Sequence, residues 1–400
     1  MSYLYLFIML RNLKSPSRRI CLGAMAIFSF YLWSIAPMPG AEACTRRSSF
    51  EFRPGIIVHE DRSQVYLMNP RGGIDAVDLA SGRLSWTTAR AAKPIILAGD
   101  LLIAQADVSD QRNRLRFVGL DILRGGELMF EANIELPPGV GVSIDDGLGT
   151  SFRTDAWIHG KFTIISWTFS ELYVGGSPPK DTGSPVRKVT GSVQIDPKTG
   201  ESSLLTPDET PPPARPGVPG SIARQAASSA LSGPLWIAGN VVATTKRIPG
   251  NRKKGIALVR WNCATGESLP DVKLFGADYT LRYPSANQKH LLASKVDYAT
   301  QPPWHWLIFS IDSGERVAEI NMKSPGARFF IWRNQLIYES PPQRRLVAEE
   351  WVDEPLRLRA IDLESGNELW SWPIRDTAYR GPYPPHRPGS ENVALPTAPK

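Results

Sequence analysis

"LRLRAIDLESGNELWSW", residues 356–372, alternates apolar with other residues as far as Asp362, turns at Ser365-Gly366 and resumes with Leu369 and Trp370. Near the other end of the chain "GIDAVDLASGRLSW", residues 73–86, follows the same course. In both, an aspartate (Asp78, Asp362) stands four positions before a glycine (Gly82, Gly366), and a tryptophan (Trp86, Trp370) stands four positions after it. Period-2 alternation is the mark of a half-buried strand. A short polar side chain beside a glycine makes a turn, because the side chain bonds nearby backbone amides and glycine accepts positive φ without strain. Each copy therefore reads as a hairpin whose second strand sends a large aromatic back to the packed face, where its burial contributes about 2 to 3 kcal/mol.

Four weaker copies lie between these two. "RFVGLDILRGGELMF" (116–130) keeps Asp121, Gly126 and Phe130 with one extra residue in its turn, and "GSVQIDPKTGESSLL" (191–205) keeps Asp196 and Gly200 but has Leu204 for the tryptophan. "ALVRWNCATGESLP" (257–270) has Asn262 and Gly266, and "LIFSIDSGERVAEI" (307–320) reads as a shortened turn, Asp312-Ser313-Gly314. The turn glycines are thus spaced by 44, 74, 66, 48 and 52 residues, and the two long intervals hold proline-rich insertions at 175–185 and 206–220. A second strand pair precedes the hairpins, as in "KPIILAGDLLIAQAD" (93–107), "DAWIHGKFTIISW" (155–167), "PLWIAGNVVATT" (234–245) and "FFIWRNQLIYES" (329–340). Two hairpins make a four-stranded sheet, and such a unit recurring every 40 to 50 residues or so is a propeller blade. The sequence predicts an all-β fold, a β-propeller of six four-stranded blades in a closed ring, with room for a seventh at 130–155. "EFRPGIIVHE" (51–60) supplies the first strand or two, and the last hairpin is expected to meet it, since an open ring would expose a sheet edge.

The termini differ from this pattern. Lys14, Arg18 and Arg19 precede an apolar run from Ile20 to Ala36, and Pro37, Pro39 and Gly40 lead into Ala41-Glu42-Ala43. That order reads as a signal peptide over 1–43, cleaved after Ala43. An uncleaved membrane anchor is the alternative, because the run sits at the lower limit of a bilayer span. A start at Met9 would leave a leader without the apolar patch that precedes it. Cys44 opens a further route to the membrane by lipidation, although Ala41 and Glu42 depart from the usual lipoprotein pattern. Cys44 and Cys263 would survive cleavage, as one disulfide or as two thiols. The propeller is placed at 44–375, and the proline-rich segment 376–400 reads as a disordered tail.

The leader takes four basic and one acidic residue from totals of 46 and 39, leaving 42 against 38, a balance of +4. Such near-neutrality argues against a nucleic-acid footprint, and the runs at 252–254 and Arg344-Arg345 read as solvated loop tips.

The pattern A-x-D-x-x-[S/T]-G-x-x-x-W resembles the pyrroloquinoline-quinone-like repeat of the quinoprotein-like superfamily. Asp78, Ser81, Gly82 and Trp86 carry it in the first copy, and Ala360, Asp362, Ser365, Gly366 and Trp370 in the last. The resemblance spans residues 52–375. It implies that the tryptophan docks between blades and that the aspartate and glycine hold the turn, so the repeat signature is architectural. That signature comprises Asp78, Gly82, Trp86, Asp121, Gly126, Asp196, Gly200, Gly266, Asp312, Gly314, Asp362, Gly366 and Trp370. Dehydrogenases of the superfamily bind the quinone and calcium on the ring axis, often with eight blades and, in some, adjacent cysteines. This chain is shorter and has no adjacent cysteines. It is more similar to relatives that have lost the cofactor and act as scaffolds in outer-membrane assembly, and pyrroloquinoline quinone and calcium are not expected.

No motif for chemistry emerges. The five histidines, at 59, 159, 290, 305 and 386, show no ligand spacing. His305, in Trp304-His305-Trp306, reads as part of a strand with aromatic faces. Asp145-Asp146-Gly147 lacks the spacing of a calcium loop, and no helix pattern follows the glycines of 139–149 to make a phosphate cradle. No catalytic, cofactor-binding or metal-ligating residue is assigned. The expectation is an exported, non-enzymatic propeller, periplasmic or extracellular, that holds an envelope or secreted protein through loops on one rim. The alternative is a quinone- or metal-dependent dehydrogenase-like or sugar-binding propeller with its site in the central channel.

Overall fold

The Asp-Gly hairpins fold as their chemistry requires. Asp78 Oδ1 accepts hydrogen bonds from Ser81 N (2.8 Å) and Ser81 Oγ (2.6 Å), and Gly82 N donates to Asp78 O at 2.8 Å. Asp362 repeats this with Ser365 N (2.7 Å), Ser365 Oγ (2.8 Å) and Gly366 N (2.9 Å). Asp196 and Asn262 likewise accept from the amides of Lys198 and Ala264, both at 2.9 Å. Asp121 caps a short 3-10 turn, and its extra residue is absorbed by Gly125 and Gly126, both at positive φ. The fifth copy corrects the reading from sequence. Gly314 N donates to Ser310 O (2.9 Å) and Ser313 N to Ser310 Oγ (3.2 Å), so the turn is full length and Ser310 takes the aspartate's place. Asp312 lies inside that turn. A serine hydroxyl offers the same acceptor as a carboxylate at this position, which leaves the backbone path unchanged.

A computed structural model describes residues 48–376, apart from 108–112, 143, 145–149, 173–185, 214–217, 219, 229–233, 249–254, 277, 296–302 and 348–349. The leader with Cys44, Asp145-Asp146-Gly147, the 175–185 insertion, the 252–254 run and the tail from 377, His386 included, lie outside the described residues. Cys263 is disulfide-bonded.

The strands form antiparallel sheets in sequence order. Sheet 1 holds β1 (Ser49–Arg53), β2 (Ile56–His59), β3 (Gln64–Met68), β4 (Ile74–Asp78) and β5 (Leu84–Thr88). Sheet 2 holds β6 (Lys93–Ala98), β7 (Leu101–Gln105), β8 (Arg114–Asp121) and β9 (Glu127–Glu135). Sheet 3 holds β10 (Thr150–His159), β11 (Phe162–Leu172), β12 (Val186–Ile195) and β13 (Ser202–Leu205). A helix, α1 (Gly220–Ser228), precedes sheet 4, made of β14 (Trp236–Ala238), β15 (Val241–Ile248), β16 (Gly255–Asn262) and β17 (Ser268–Phe275). Sheet 5 holds β18 (Tyr279–Pro284), β19 (His290–Lys295), β20 (Trp304–Ser310) and β21 (Arg316–Met322). Sheet 6 holds β22 (Phe329–Trp332), β23 (Gln335–Ser340), β26 (Arg357–Asp362) and β27 (Glu368–Pro373), interrupted by a ribbon of β24 (Gln343–Val347) and β25 (Glu350–Glu354). Arg344 and Arg345 therefore belong to a strand of this ribbon rather than a loop tip, and Arg344 pairs with Asp353 at 3.5 Å. The interval 136–149 separates sheets 2 and 3 with no sheet among its described residues.

Neighbouring sheets pack face to face. One apolar cluster joins sheets 1 and 2, another sheets 2 and 3, and others sheets 4 and 5 and sheets 5 and 6. The first sheet also meets the last: Phe52, Val58 and Leu67 share a cluster with Phe330, Leu358 and Trp370. A succession of four-stranded meanders packed in this way is consistent with propeller blades.

The aromatics of the repeat lock three of these joints, those of sheets 1 and 2, 2 and 3, and 6 and 1. Just after the turns of sheets 1, 2 and 6 the ladder shifts by a residue, which sets Trp86 opposite Ala76, Phe130 opposite Gly119 and Trp370 opposite Ala360. Only a small residue leaves room there, since a Cβ on Gly119 would lie 2.3 Å from the Phe130 ring. Where sheet 5 has the small Ala318 on the outer strand, Ile308 stands opposite and fills the space. Each ring then covers the turn glycine of the next sheet. A Cβ on Gly126 would lie 2.8 Å from Trp86, one on Gly200 2.5 Å from Phe130, and one on Gly82 2.4 Å from Trp370. Trp370 Nε1 also donates to Leu79 O at 2.9 Å. At the joint of sheets 3 and 4 the device is absent: Leu204 is 50% exposed and Gly266 faces Ser221 of α1. Ile222 and Ala226 of the helix pack on Val242, Val259 and Trp261 of sheet 4.

Gly82 is constrained both by φ +66° and by the Trp370 ring, whereas Gly366, at φ +71°, has open space around its Cα. Gly82→Ala is expected to destabilise the fold by about 2 to 4 kcal/mol and Gly366→Ala by about 1 kcal/mol, read from denaturant midpoints. Equal losses would mean that the ring contact adds nothing.

A polar network reinforces the joint at the same end. Buried Glu60 of sheet 1 accepts from Asn287 Nδ2 (2.7 Å), pairs with Lys289, and offers its carbonyl to Trp332 Nε1 (3.3 Å). Beside it the His290 imidazole is held down to about 4, chiefly by burial and then by Lys289, with Glu60 opposing. A depressed imidazole pKa means that the folded state binds fewer protons than the unfolded chain between these values. Its contribution is present in full above pH 6.5 or so and is lost as pH falls towards 4. His290→Gln should flatten the decline of the urea midpoint across that window; an unchanged pH profile would refute the assignment.

Candidate functional site

In a four-stranded meander the first and third turns fall at one end, and the middle turn and the link to the next sheet fall at the other. The first kind spans two to six residues throughout, and it includes every Asp-Gly hairpin. The second kind includes 106–113, 136–149, 173–185, 206–235 with α1, 296–303 and the 341–356 ribbon. All the long connections therefore gather at one end, the one at which the inner strands β2, β6, β10, β14, β18 and β22 begin.

Strand β1 lies among those inner strands. It pairs with β2 from Ser49↔His59 to Arg53↔Ile56 and also contacts β6. Phe50 and Phe52 meet the Phe330 ring of β22 edge-on, with centroids 5.3 and 5.5 Å apart. Arg328 Nη1 donates to Phe52 O (2.9 Å), and Arg53 pairs with Glu339 at 2.8 Å. The last sheet thus meets the 51–60 segment by face packing and these polar contacts, with β1 added as a fifth strand on the inner side of sheet 1. Glu51 alternates with the two phenylalanines and has Asp155, Lys93 and Arg328 for charged neighbours. Burial, and then Asp155, push its carboxyl above the ordinary value, while Lys93 and Arg328 pull it back. Close by, burial and then Glu339 push the Tyr283 phenol up to about 12, so it keeps its proton and is no base.

A second polar line crosses sheet 5 at this end. The Tyr279 hydroxyl lies 2.8 Å from His305 Nδ1, and His305 Nε2 lies 2.9 Å from Glu319 Oε1, which Arg316 also engages at 2.5 Å. A carboxylate only accepts, so in the neutral imidazole Nε2 carries the proton and Nδ1 accepts from Tyr279. The order Glu-His-Tyr orients a phenol as relays orient a nucleophile, yet burial followed by Glu319 raises the Tyr279 pKa, which keeps its proton in place. The line is a fixed hydrogen-bond chain. Sequence reading placed His305 on a strand and missed its partners, because they come from strands 26 and 14 residues away with no shared motif.

The ribbon is anchored from below. Arg359, on β26, pairs with Glu354 at 3.2 Å and with Glu368 at 2.5 Å, and Glu354 is buried at the ribbon's foot. The turn residues of the repeat signature, from Asp78 and Gly82 to Asp362 and Gly366, all sit at the opposite end, and Trp86 and Trp370 sit between sheets. None of them reaches the inner-strand cluster. No helix among the described residues is long and apolar enough to cross a membrane.

No family model matches the chain, and no curated protein is significantly similar to it. Solved structures similar to it include a europium-containing methanol dehydrogenase, at 11% identity and TM-score 0.23 over 84% of this chain and 71% of that one. A quinohemoprotein alcohol dehydrogenase from Pseudomonas putida, at 11% identity and TM-score 0.23, covers 78% and 57%. Hydrazine synthase from Kuenenia stuttgartiensis, at 11% and 0.23, covers 76% and 74%. Likeness at this level transfers neither activity nor ligand to this chain.

Nitrogen-15 correlation spectra of the neutral His305 imidazole should show the Nε2-protonated tautomer, and Tyr279→Phe should remove the hydrogen bond at Nδ1 without lowering the melting temperature by more than about 4 °C. An Nδ1-protonated ring would overturn the assigned order.

Proposed function

We propose that this chain is an exported, non-enzymatic β-propeller of six blades that holds a protein partner in the cell envelope through its loop-bearing end. The observation that carries this reading is the segregation of connections: every long one emerges at one end, and the opposite end is built of turns of two to six residues. Loops positioned by a rigid scaffold are where recognition residues concentrate. In this reading the ring closes by packing sheet 1 on sheet 6, and α1 completes the joint between sheets 3 and 4.

The channel supports a scaffold over the dehydrogenase-like alternative. Strand β1 brings Phe50 and Phe52 to the inner strands, where a quinone would need open space. Glu51 and Asp155 share their surroundings with Lys93 and Arg328, which would repel a divalent cation, so these residues do not fit a calcium and quinone site. Export rests on the leader and is consistent with the bonded state of Cys263, since disulfides persist in oxidising compartments.

A tagged copy expressed at native level, cross-linked mildly in the intact envelope and analysed by mass spectrometry, tests the proposal. The expected result is a reproducible envelope protein that is lost when 206–220 or the ribbon 343–354 is deleted. Repeated failure to recover one, or recovery undiminished by both deletions, would sink the reading.

A further inference from the structure

Cys263 enters a disulfide, and its place in the fold restricts what lies at the other end of the bond. It opens the turn between β16 and β17, and its amide donates to Asn240 O at 2.8 Å, which sets it at the tight-turn end of sheet 4. Its side chain is buried with Ile222 and Ala226 of α1 and with Val242, Val259 and Trp261 of the sheet. Three positions further on is Gly266, which Ser221 of the helix faces where an aromatic of the preceding sheet would stand.

The chain has two other cysteines, Cys21 and Cys44, both outside the described residues. Cys21 is the second residue of the apolar run in the leader, and neither reading of that leader leaves it available. Cleavage after Ala43 removes it, and an anchor holds it in the bilayer. Cys44 stays on the exported side in both cases. The direction of β1 points the same way. This strand runs antiparallel to β2, and Ser48 O accepts from Glu60 N at 2.9 Å, so the chain enters β1 from the tight-turn end. The segment before Ser48 therefore departs from the end at which Cys263 lies.

We propose that Cys44 is the partner of Cys263, in a disulfide that ties the start of β1 to sheet 4 at the joint where α1 replaces direct sheet-on-sheet packing. In its formation each thiol loses a proton, and the pair passes two electrons to the disulfide of an oxidoreductase on the exported side, which leaves as two thiols. The bond closes a loop of roughly 220 residues. A cross-link of that span removes chain entropy from the unfolded state, and it does so at a joint without a ring over its glycine. A sulfur held in a disulfide cannot also carry a lipid thioether, so the bond excludes lipidation of Cys44 in the same molecule. The assignment rests on export and is independent of what the loops bind.

Tryptic mapping of the full chain, produced with its own leader and alkylated in denaturant without reduction, tests the pairing. Residues 261–273, which carry Cys263, should be recovered joined to residues 44–46 and should part from them on reduction. Cys44→Ser should open Cys263 to alkylation and lower the melting temperature by roughly 5 °C, and reductant should lower the native chain to match while leaving the variant unmoved. A link through Cys44 within an uncleaved 20–46 peptide would uphold the pairing and show that the leader is retained. Alkylated Cys263 in the exported fraction, a link to Cys21, or a lipid on Cys44 would overturn the pairing alone. A chain found only in the cytosol would overturn the export reading and the pairing with it.

Discussion

A ring of indole or phenyl laid over a glycine of the next sheet is the contact on which the arrangement depends. A four-stranded sheet of this chain has apolar residues on both faces and cannot bury either by itself. The joint must bring two faces to packing distance and hold their register. Trp86, Phe130 and Trp370 do both, since each reaches across from its own outer strand to the turn of its neighbour. The glycine lets the ring approach the backbone, and the turn that supplies the glycine is held by the preceding aspartate. Turn chemistry and inter-sheet packing are thus one device, and for that reason aspartate, glycine and aromatic recur together at fixed spacing.

That coupling explains what could be read from the chain. Strands, hairpins and their order were legible because alternation and turn residues are local signals, and the segments at 93–107, 155–167, 234–245 and 329–340 all form the strand pairs foreseen. Ser310 was misread because Asp312 looked like the motif residue, although only the position four before Gly314 can accept the turn amide. Helix α1 was hidden in a connection read only for its prolines. The Tyr279-His305-Glu319 line and the cluster around Glu51 were out of reach, since each assembles side chains from separate strands. The gathering of long connections at one end follows from strand parity alone, but only once the strands have been counted without error.

The two ends of the assembly carry different loads. At the tight-turn end, turns, interlocks and the Glu60 network are mutually dependent, so a substitution there is felt across a joint. At the other end the connections leave from strand ends already fixed by their sheets. Lengthening such a loop costs little, since closure entropy grows only with the logarithm of its length. The fold can therefore accept the insertions at 173–185 and 206–235 without disturbing the packing that defines it.

The joint between sheets 3 and 4 shows the same rule from the opposite side. Position 204 carries leucine where sheets 1, 2 and 6 have an aromatic, and β12 pairs with β13 without the one-residue shift that aims the ring. With neither ring nor shift, sheet 3 has nothing to place over Gly266, and Ser221 of the helix stands there instead. A face released from packing no longer needs to be apolar, and the face of sheet 3 is accordingly set with Arg153, Asp155, Ser166 and Thr168. Solvation alone would account for the hydroxyls and the charges, but it does not account for Trp157. Trp157 is half exposed and stands opposite Ile164, which is fully buried, so this end of the face is covered even though no sheet lies on it.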